Sequence, residues 1–170
     1  MIQIKNISKA YGGQILFENL SFNLPPKGKV GLVGRNGSGK STLFRLIQGE
    51  ELVDSGEIAI PKNYKIGALK QHIDFSCKTV REECSQVLTG DHKYDFYKVE
   101  KILSGLGFSE EDLSKDPLSF SGGYQIRITL AKVLATEPDL LLLDEPTNYL
   151  DIVSLRWLQS FLKGFSGEVI

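Results

Sequence analysis

The chain has 170 residues, 41% hydrophobic and 24% charged, with 20 basic against 21 acidic residues and a formal net charge of −1. That suits a globular domain with its own core, and the even charge excludes polyanion binding by bulk electrostatics, which needs a local surplus of Lys and Arg. No apolar run approaches the ~18 residues of a membrane span, and Cys77 and Cys84, without CxxC spacing, fit neither a disulfide framework nor a structural zinc site.

In chain order, Ile2 and Ile4 alternate with Gln3 and Lys5, and Leu20, Phe22 and Leu24 alternate with Ser21 and Asn23. This period of two predicts half-buried strands, punctuated by Gly12-Gly13 and Pro25-Pro26. Val30-Gly31-Leu32-Val33 is short and apolar, as expected of a strand buried on both faces. A glycine-rich loop follows, then a helix carrying Leu43, Phe44, Leu46 and Ile47 and stopped by Gly49. Gly56–Ile60 and Lys65–Leu69 predict two more strands.

From about residue 72 to 137 the pattern turns helical. Thr79 with Glu82 forms a capping box ahead of the stripe Val80, Cys84, Val87 and Leu88. Phe96, Val99, Ile102, Leu103 and Leu106 make a second stripe ended by Gly107, and Ile126, Leu130, Val133 and Leu134 a third. Leu140–Leu143 returns to a strand, Leu155, Leu158 and Leu162 mark a last helix, and Glu168-Val169-Ile170 begins another strand. The ordering predicts an α/β fold with an antiparallel β region, a core of 1–71 and 138–170, and a helical insert of 72–137. No secretory leader is legible, so a cytoplasmic chain with no membrane insertion is expected.

Gly34-Arg35-Asn36-Gly37-Ser38-Gly39-Lys40-Ser41, followed by Thr42, matches GxxxxGK[ST] between a strand and a helix. Glycines let the backbone wrap a phosphate without Cβ clashes, their N–H groups form an anion nest, and the helix adds its positive end. Lys40 supplies a charge for the β- and γ-phosphates, and the Ser41 hydroxyl is placed to ligate Mg2+. Far downstream, Leu140-Leu141-Leu142-Leu143 ends in Asp144 and Glu145. Carboxylates at the end of a parallel strand face a ligand crevice. Asp144 is a candidate Mg2+ ligand, and Glu145 a candidate for the attacking water. Ser121-Gly122-Gly123 opens the Gln125–Leu134 helix as a second anion-binding start, with Ser121 as N-cap. It either shares the first loop's pocket or serves a different nucleotide.

Phosphate loop, Ser-Gly-Gly, the Asp-Glu strand and Pro146-Thr147-Asn148-Tyr149-Leu150-Asp151, in this order, resemble the ATPase domain of ATP-binding-cassette (ABC) proteins over essentially the whole chain. The resemblance implies a P-loop NTPase fold: a mixed sheet with an antiparallel β subdomain and an inserted α-helical subdomain. It implies ATP and Mg2+, and head-to-tail pairing with a second ABC domain, each Ser-Gly-Gly closing over ATP held by the other's phosphate loop. By the same likeness Tyr11 stacks on adenine, Gln71 touches Mg2+ and the attacking water, and Asp151 lies in the loop crossing the dimer interface. The family's usual leucine and glutamine around Ser-Gly-Gly are here Phe120 and Tyr124.

Pro146–Asp151 with Ser-Gly-Gly-Tyr-Gln-x-Arg is most similar to the soluble F subfamily (ABC-F), whose members carry two ATPase domains on one chain and act on the ribosome. The resemblance thus implies ATP hydrolysis in translation, with ribosome and RNA as partners. The alternative is the ATPase subunit that energises a membrane transporter. A chromosome-maintenance ATPase needs a long coiled coil, and the 49 residues between Gln71 and Ser121 cannot hold one. The family's γ-phosphate histidine follows the last helix, whereas His72 and His92 lie elsewhere. The chain is therefore expected to be a fragment holding half-sites, with little turnover alone.

Overall fold

β1 (Gln3–Tyr11) and β2 (Gln14–Asn23) form an antiparallel hairpin, and β3 (Ser55–Ala59) pairs with the other edge of β1. A strict alternation from Ile2 and Ile4 would put Asn6 inside. Register shifts between Ile4 and Ile7 instead bring Ile7 into the core. Asn6 adopts a φ of 48°, and its N–H donates to Ser21 Oγ at 2.7 Å, the local kink of a β-bulge. Gly56 on β3 passes against this bulge with φ +81°, where a Cβ would lie 2.3 Å from the Asn6 carbonyl oxygen. Only glycine tolerates both conditions.

The computed structural model describes residues 2–69, 74–89 and 94–170. Its second sheet has the order β4-β5-β6, comprising Ile66–Ala68, Leu140–Leu142 and Glu168–Val169, with β5 and β6 parallel. β5 is wholly buried, as a run of leucines between covered faces should be. α1 (Lys40–Gln48) buries Leu43, Phe44, Leu46 and Ile47, and it ends at Gly49, whose φ of 71° lets its N–H return to the Arg45 and Leu46 carbonyls.

Val30–Val33 departs from expectation. It touches the sheet through one parallel bridge, Lys29 to Val169, with the Val30 N–H donating to the Val169 carbonyl at 2.8 Å. Val30 and Leu32 are exposed, and Val33 is 94% exposed. Burial on both faces requires layers packed above and below the strand, and the exposed Val30, Leu32 and Val33 side chains do not have them among the described residues.

The helices are α2 (Val80–Ser85), α3 (Phe96–Gly105), α4 (Gly122–Ala135) and α5 (Ile152–Gly164). Thr79 caps α2, its Oγ1 accepting the Glu82 N–H at 3.2 Å. Val80, Cys84, Leu88, Val99, Ile102, Leu103, Leu106, Leu130 and Leu134 are buried, as their stripes predict. Val87, Ile126 and Val133, from the same stripes, are only half-buried, and Phe96 is exposed: it sits in the first turn of α3 with its ring edge-to-face on Tyr94. α5 lays the Trp157 indole over Gly105, where a Cβ would come within 2.0 Å of the ring.

Two compact units result. One comprises Met1–Ile66, Asp139–Asp144 and Ser166–Ile170; the other comprises Gly67–Pro138 and Glu145–Phe165. The helical unit therefore takes in Glu145–Phe165 as well as the 72–137 segment, since α5 packs on α3 through Trp157 and Gly105. Inside it, the buried Glu83 carboxylate pairs with the Lys132 ammonium and accepts the Ser76 and Cys77 N–H groups at 2.9 and 2.8 Å. Burial would raise this carboxyl, but the Lys132 ammonium and the two amides outweigh it and hold it below its ordinary value.

Candidate functional site

The phosphate loop runs from Gly34 into α1 with Gly39 at the N-cap position. Gly37 and Gly39 have φ of 81° and 94°, and a Cβ on Gly39 would press to 2.8 Å on the Phe17 ring. The glycine pattern is thus required by left-handed backbone and by a neighbouring strand. The Ser38 N–H closes a turn on the Arg35 carbonyl at 3.1 Å. Lys40 Nζ donates to the Gly34 and Arg35 carbonyls at 3.0 and 3.2 Å. Its ammonium is therefore folded over the loop it would guard, within reach of an anion seated there.

Ser41 Oγ donates to Asp144 Oδ2 at 2.5 Å, joining positions 103 apart in sequence. Asp144 stands two residues beyond the end of β5, and the first turn of α1 carries Ser41. Two oxygens this close suit a cation of Mg2+ type, whose neighbouring ligands stand about 3 Å apart in an octahedron of 2.0–2.1 Å bonds. Among the described residues no group of three or more His, Cys, Asp or Glu could hold a metal ion. A Mg2+ here would draw its remaining ligands from phosphate and water, as Mg2+ commonly does. Gln71, the other candidate ligand, lies outside the described residues, as do His72 and His92.

Tyr11 ends β1, and its hydroxyl donates to the Glu51 carboxylate. Glu51 also faces Lys9 Nζ at 3.2 Å and Arg45 Nε at 3.7 Å. The Tyr11 hydroxyl is raised above its ordinary value chiefly by Glu51, and Glu51 is correspondingly lowered chiefly by Tyr11. Thr42, buried on α1, interacts with the same hydroxyl. Sequence reasoning singled out Tyr11 but not Glu51, because a carboxylate after a helix C-cap has no distinguishing local pattern.

In the helical unit, Ser121 stands at the N-cap position of α4, yet its hydroxyl makes no capping hydrogen bond, contrary to expectation. Only its carbonyl engages, accepting the Gln125 N–H at 2.9 Å. Added Cβ atoms at Gly122 and Gly123 would meet nothing within 4 Å, so the backbone at this helix start is open to close approach. Phe120 and Tyr124 pack with Phe108 in an aromatic cluster, with centroids 5.2 to 5.9 Å apart. Their presence beside Ser-Gly-Gly is thereby a packing solution.

Arg127, three residues beyond Tyr124, is 7% exposed. Its guanidinium lies 4.6 Å from the Tyr124 ring centre and donates to the Tyr149 and Leu106 carbonyls and to Asp151 Oδ2, at 2.9, 3.0 and 3.0 Å. Asp151 caps α5 by accepting the Ser154 N–H at 2.8 Å; that bond, then the Arg127 guanidinium, hold its carboxyl low. Glu145 has a left-handed φ of 48°, and Asn148 Nδ2 donates to its Oε2 at 3.0 Å. Arg127 and Asn148 are the partners that the motif reading passed over. Both stand inside motifs, but only folding reveals what they hold.

A glycine-rich loop opening a helix, with a lysine over it and a strand-end carboxylate on its serine, defines a P-loop nucleotide-binding cassette. The family described as ABC transporter matches residues 17–148, and the chain belongs to it. YdiF of Bacillus subtilis, named for ATP binding, is 34% identical over 211 residues, covering 100% of this chain and 33% of that protein. ABC transporter F family member 5 of Arabidopsis thaliana is 34% identical, covering 95% of this chain and 30% of its own length. The chain thus spans about a third of these relatives. The solved dimeric structure of MJ0796, a bacterial ABC transporter cassette, superposes with a TM-score of 0.78 at 25% identity, covering 99% of this chain and 87% of that one. No helix among the described residues is long and apolar enough to cross a membrane.

Proposed function

We propose that the chain binds and hydrolyses ATP as a cassette of the F type and works in translation on the ribosome, paired with a second ABC domain. The observation that carries this reading is the meeting of Ser41 and Asp144 beside the lysine-covered loop. F family members among its relatives support the subfamily. Lys40 and the amides of Gly34 to Thr42, through Arg35, Asn36, Gly37, Ser38, Gly39 and Ser41, hold and neutralise the phosphates. Tyr11 receives the adenine. Ser41, Asp144 and Gln71 would hold Mg2+, which when bound offsets charge on the phosphates.

Glu145, steadied by Asn148, orients the attacking water and accepts its proton. The open backbone at Ser121, Gly122 and Gly123 clamps the γ-phosphate bound by the other domain, and Asp151 lies at the junction. Phosphoryl transfer depends mainly on positioning and charge, so a chain with half of each site turns over little by itself.

Two variants test the reading. Lys40→Ala should abolish MgATP binding by calorimetry. Glu145→Gln in the full-length protein should keep binding, stop hydrolysis, and cosediment with ribosomes in ATP. Fractionation of the trapped protein with a membrane complex, ribosomes being ignored, would replace the ribosomal role with the transporter one. Concentration-independent ATPase activity of the 170-residue chain would overturn the half-site account.

A further inference from the structure

The base platform and the phosphate helix are joined by a charged clamp. Tyr11 is 44% exposed at the end of β1, with Lys9 Nζ 5.3 Å from its ring centre. That ammonium is itself fixed, donating to the Leu52 carbonyl at 2.8 Å and to Asp54 at 3.3 Å, while Asp54 accepts the Ala10 N–H at 2.8 Å. Glu51 takes the Tyr11 hydroxyl and faces Lys9 and Arg45, and Arg45 reaches back to the Thr42 hydroxyl at 3.4 Å. A half-exposed tyrosine on a surface strand end ordinarily has freedom to swing. Here its far end is anchored to a carboxylate 40 positions away, next to the helix that starts at the phosphate loop.

We propose that Glu51 is a positioning residue for the nucleobase: it locks the Tyr11 ring against α1 as a preformed platform, so that affinity for the base depends on a carboxylate that touches no part of the nucleotide. The inference rests on the reading of Tyr11 as the adenine contact and adds the residue that makes it work. Preorganisation is the physical basis. An untethered side chain must be immobilised when the base arrives, at a cost of roughly 0.5–1.5 kcal/mol, which is about 2- to 10-fold in affinity. Glu51→Gln preserves size but replaces the ionised acceptor with a neutral amide, and Tyr11→Phe preserves the ring but removes the tether.

The full chain and its variants are titrated with MgATP and, separately, with magnesium tripolyphosphate, which has no base. Glu51→Gln and Tyr11→Phe should each weaken MgATP about 3- to 10-fold and leave tripolyphosphate within about twofold, and the double variant should be no worse than either single one. Equal weakening of both ligands by Glu51→Gln would overturn the proposal in favour of a purely structural role. So would an unchanged Glu51→Gln beside a Tyr11→Ala that loses MgATP selectively, since the platform then needs no tether. If Tyr11→Ala leaves the ratio of the two affinities unaltered, the adenine reading itself fails, and that outcome is distinct from the other two.

Discussion

Arg127→Ala is expected to lower stability by about 3 kcal/mol. The side chain is almost fully buried and donates to two main-chain carbonyls, at the end of α3 and just before α5, and to the half-exposed Asp151 carboxylate. Hydrogen bonds to a charged group each contribute about 1.5–3 kcal/mol when made, and the carbonyls left behind have lost a cation. Asp151, 52% exposed on its side chain, regains water and adds little. The packed aliphatic stem and the face of Tyr124 add about 1 kcal/mol, offset by relief of the buried guanidinium's desolvation. Arg127→Lys should recover less than half the loss, because an ammonium cannot serve three diverging acceptors with a planar fork.

Urea denaturation followed by Trp157, the single tryptophan, reads this directly, since that indole lies on α5 in the same unit. A loss below about 1 kcal/mol for the alanine variant, or a lysine variant equal to the wild type, would refute the argument that the guanidinium joins these segments.

Glu83 has a folded-state value below its ordinary 4.5, so its contribution to stability is complete above that pH and is lost as pH falls through the lower folded value. Chemical denaturation of the wild type and of Glu83→Gln should therefore differ most at neutral pH and converge on acidification; a difference that stays constant into strong acid would remove the charge from the explanation. Burial pushes the Cys84 thiol up to about 12. Iodoacetamide at pH 8 should label Cys77 alone in the folded protein and both cysteines only in denaturant, and two labels on the native chain would contradict the burial.

Much of the candidate site is legible before folding because its chemistry is local. The phosphate loop needs glycines at fixed offsets from Lys40 and Ser41, and the α-helical stripes repeat within a few turns. The misreadings concern partners. Val30–Val33 has the composition of a hidden strand, but burial depends on what packs over its faces, and among the described residues Val30, Leu32 and Val33 stay exposed. Alternation alone also does not foresee the bulge opposite Gly56 that brings Ile7 rather than Asn6 into the core, since a one-residue change of register moves a side chain to the other face. Ser121 has the identity of a cap, yet its hydroxyl makes no capping bond.

What the order of residues determined, by itself, was the loop, the helices that bury their stripes, and the strand-end acids, since each follows from spacing along one element. The motifs paired Ser41 with Asp144 only through a shared Mg2+; tertiary structure alone decided that the two side chains hydrogen-bond directly, that Glu51 anchors Tyr11, and that Arg127 holds Asp151. Those pairs lie 103, 40 and 24 positions apart. No periodicity links such positions; a hydrogen bond between them exists only after the core has fixed where each backbone segment runs, because its reach is about 3 Å.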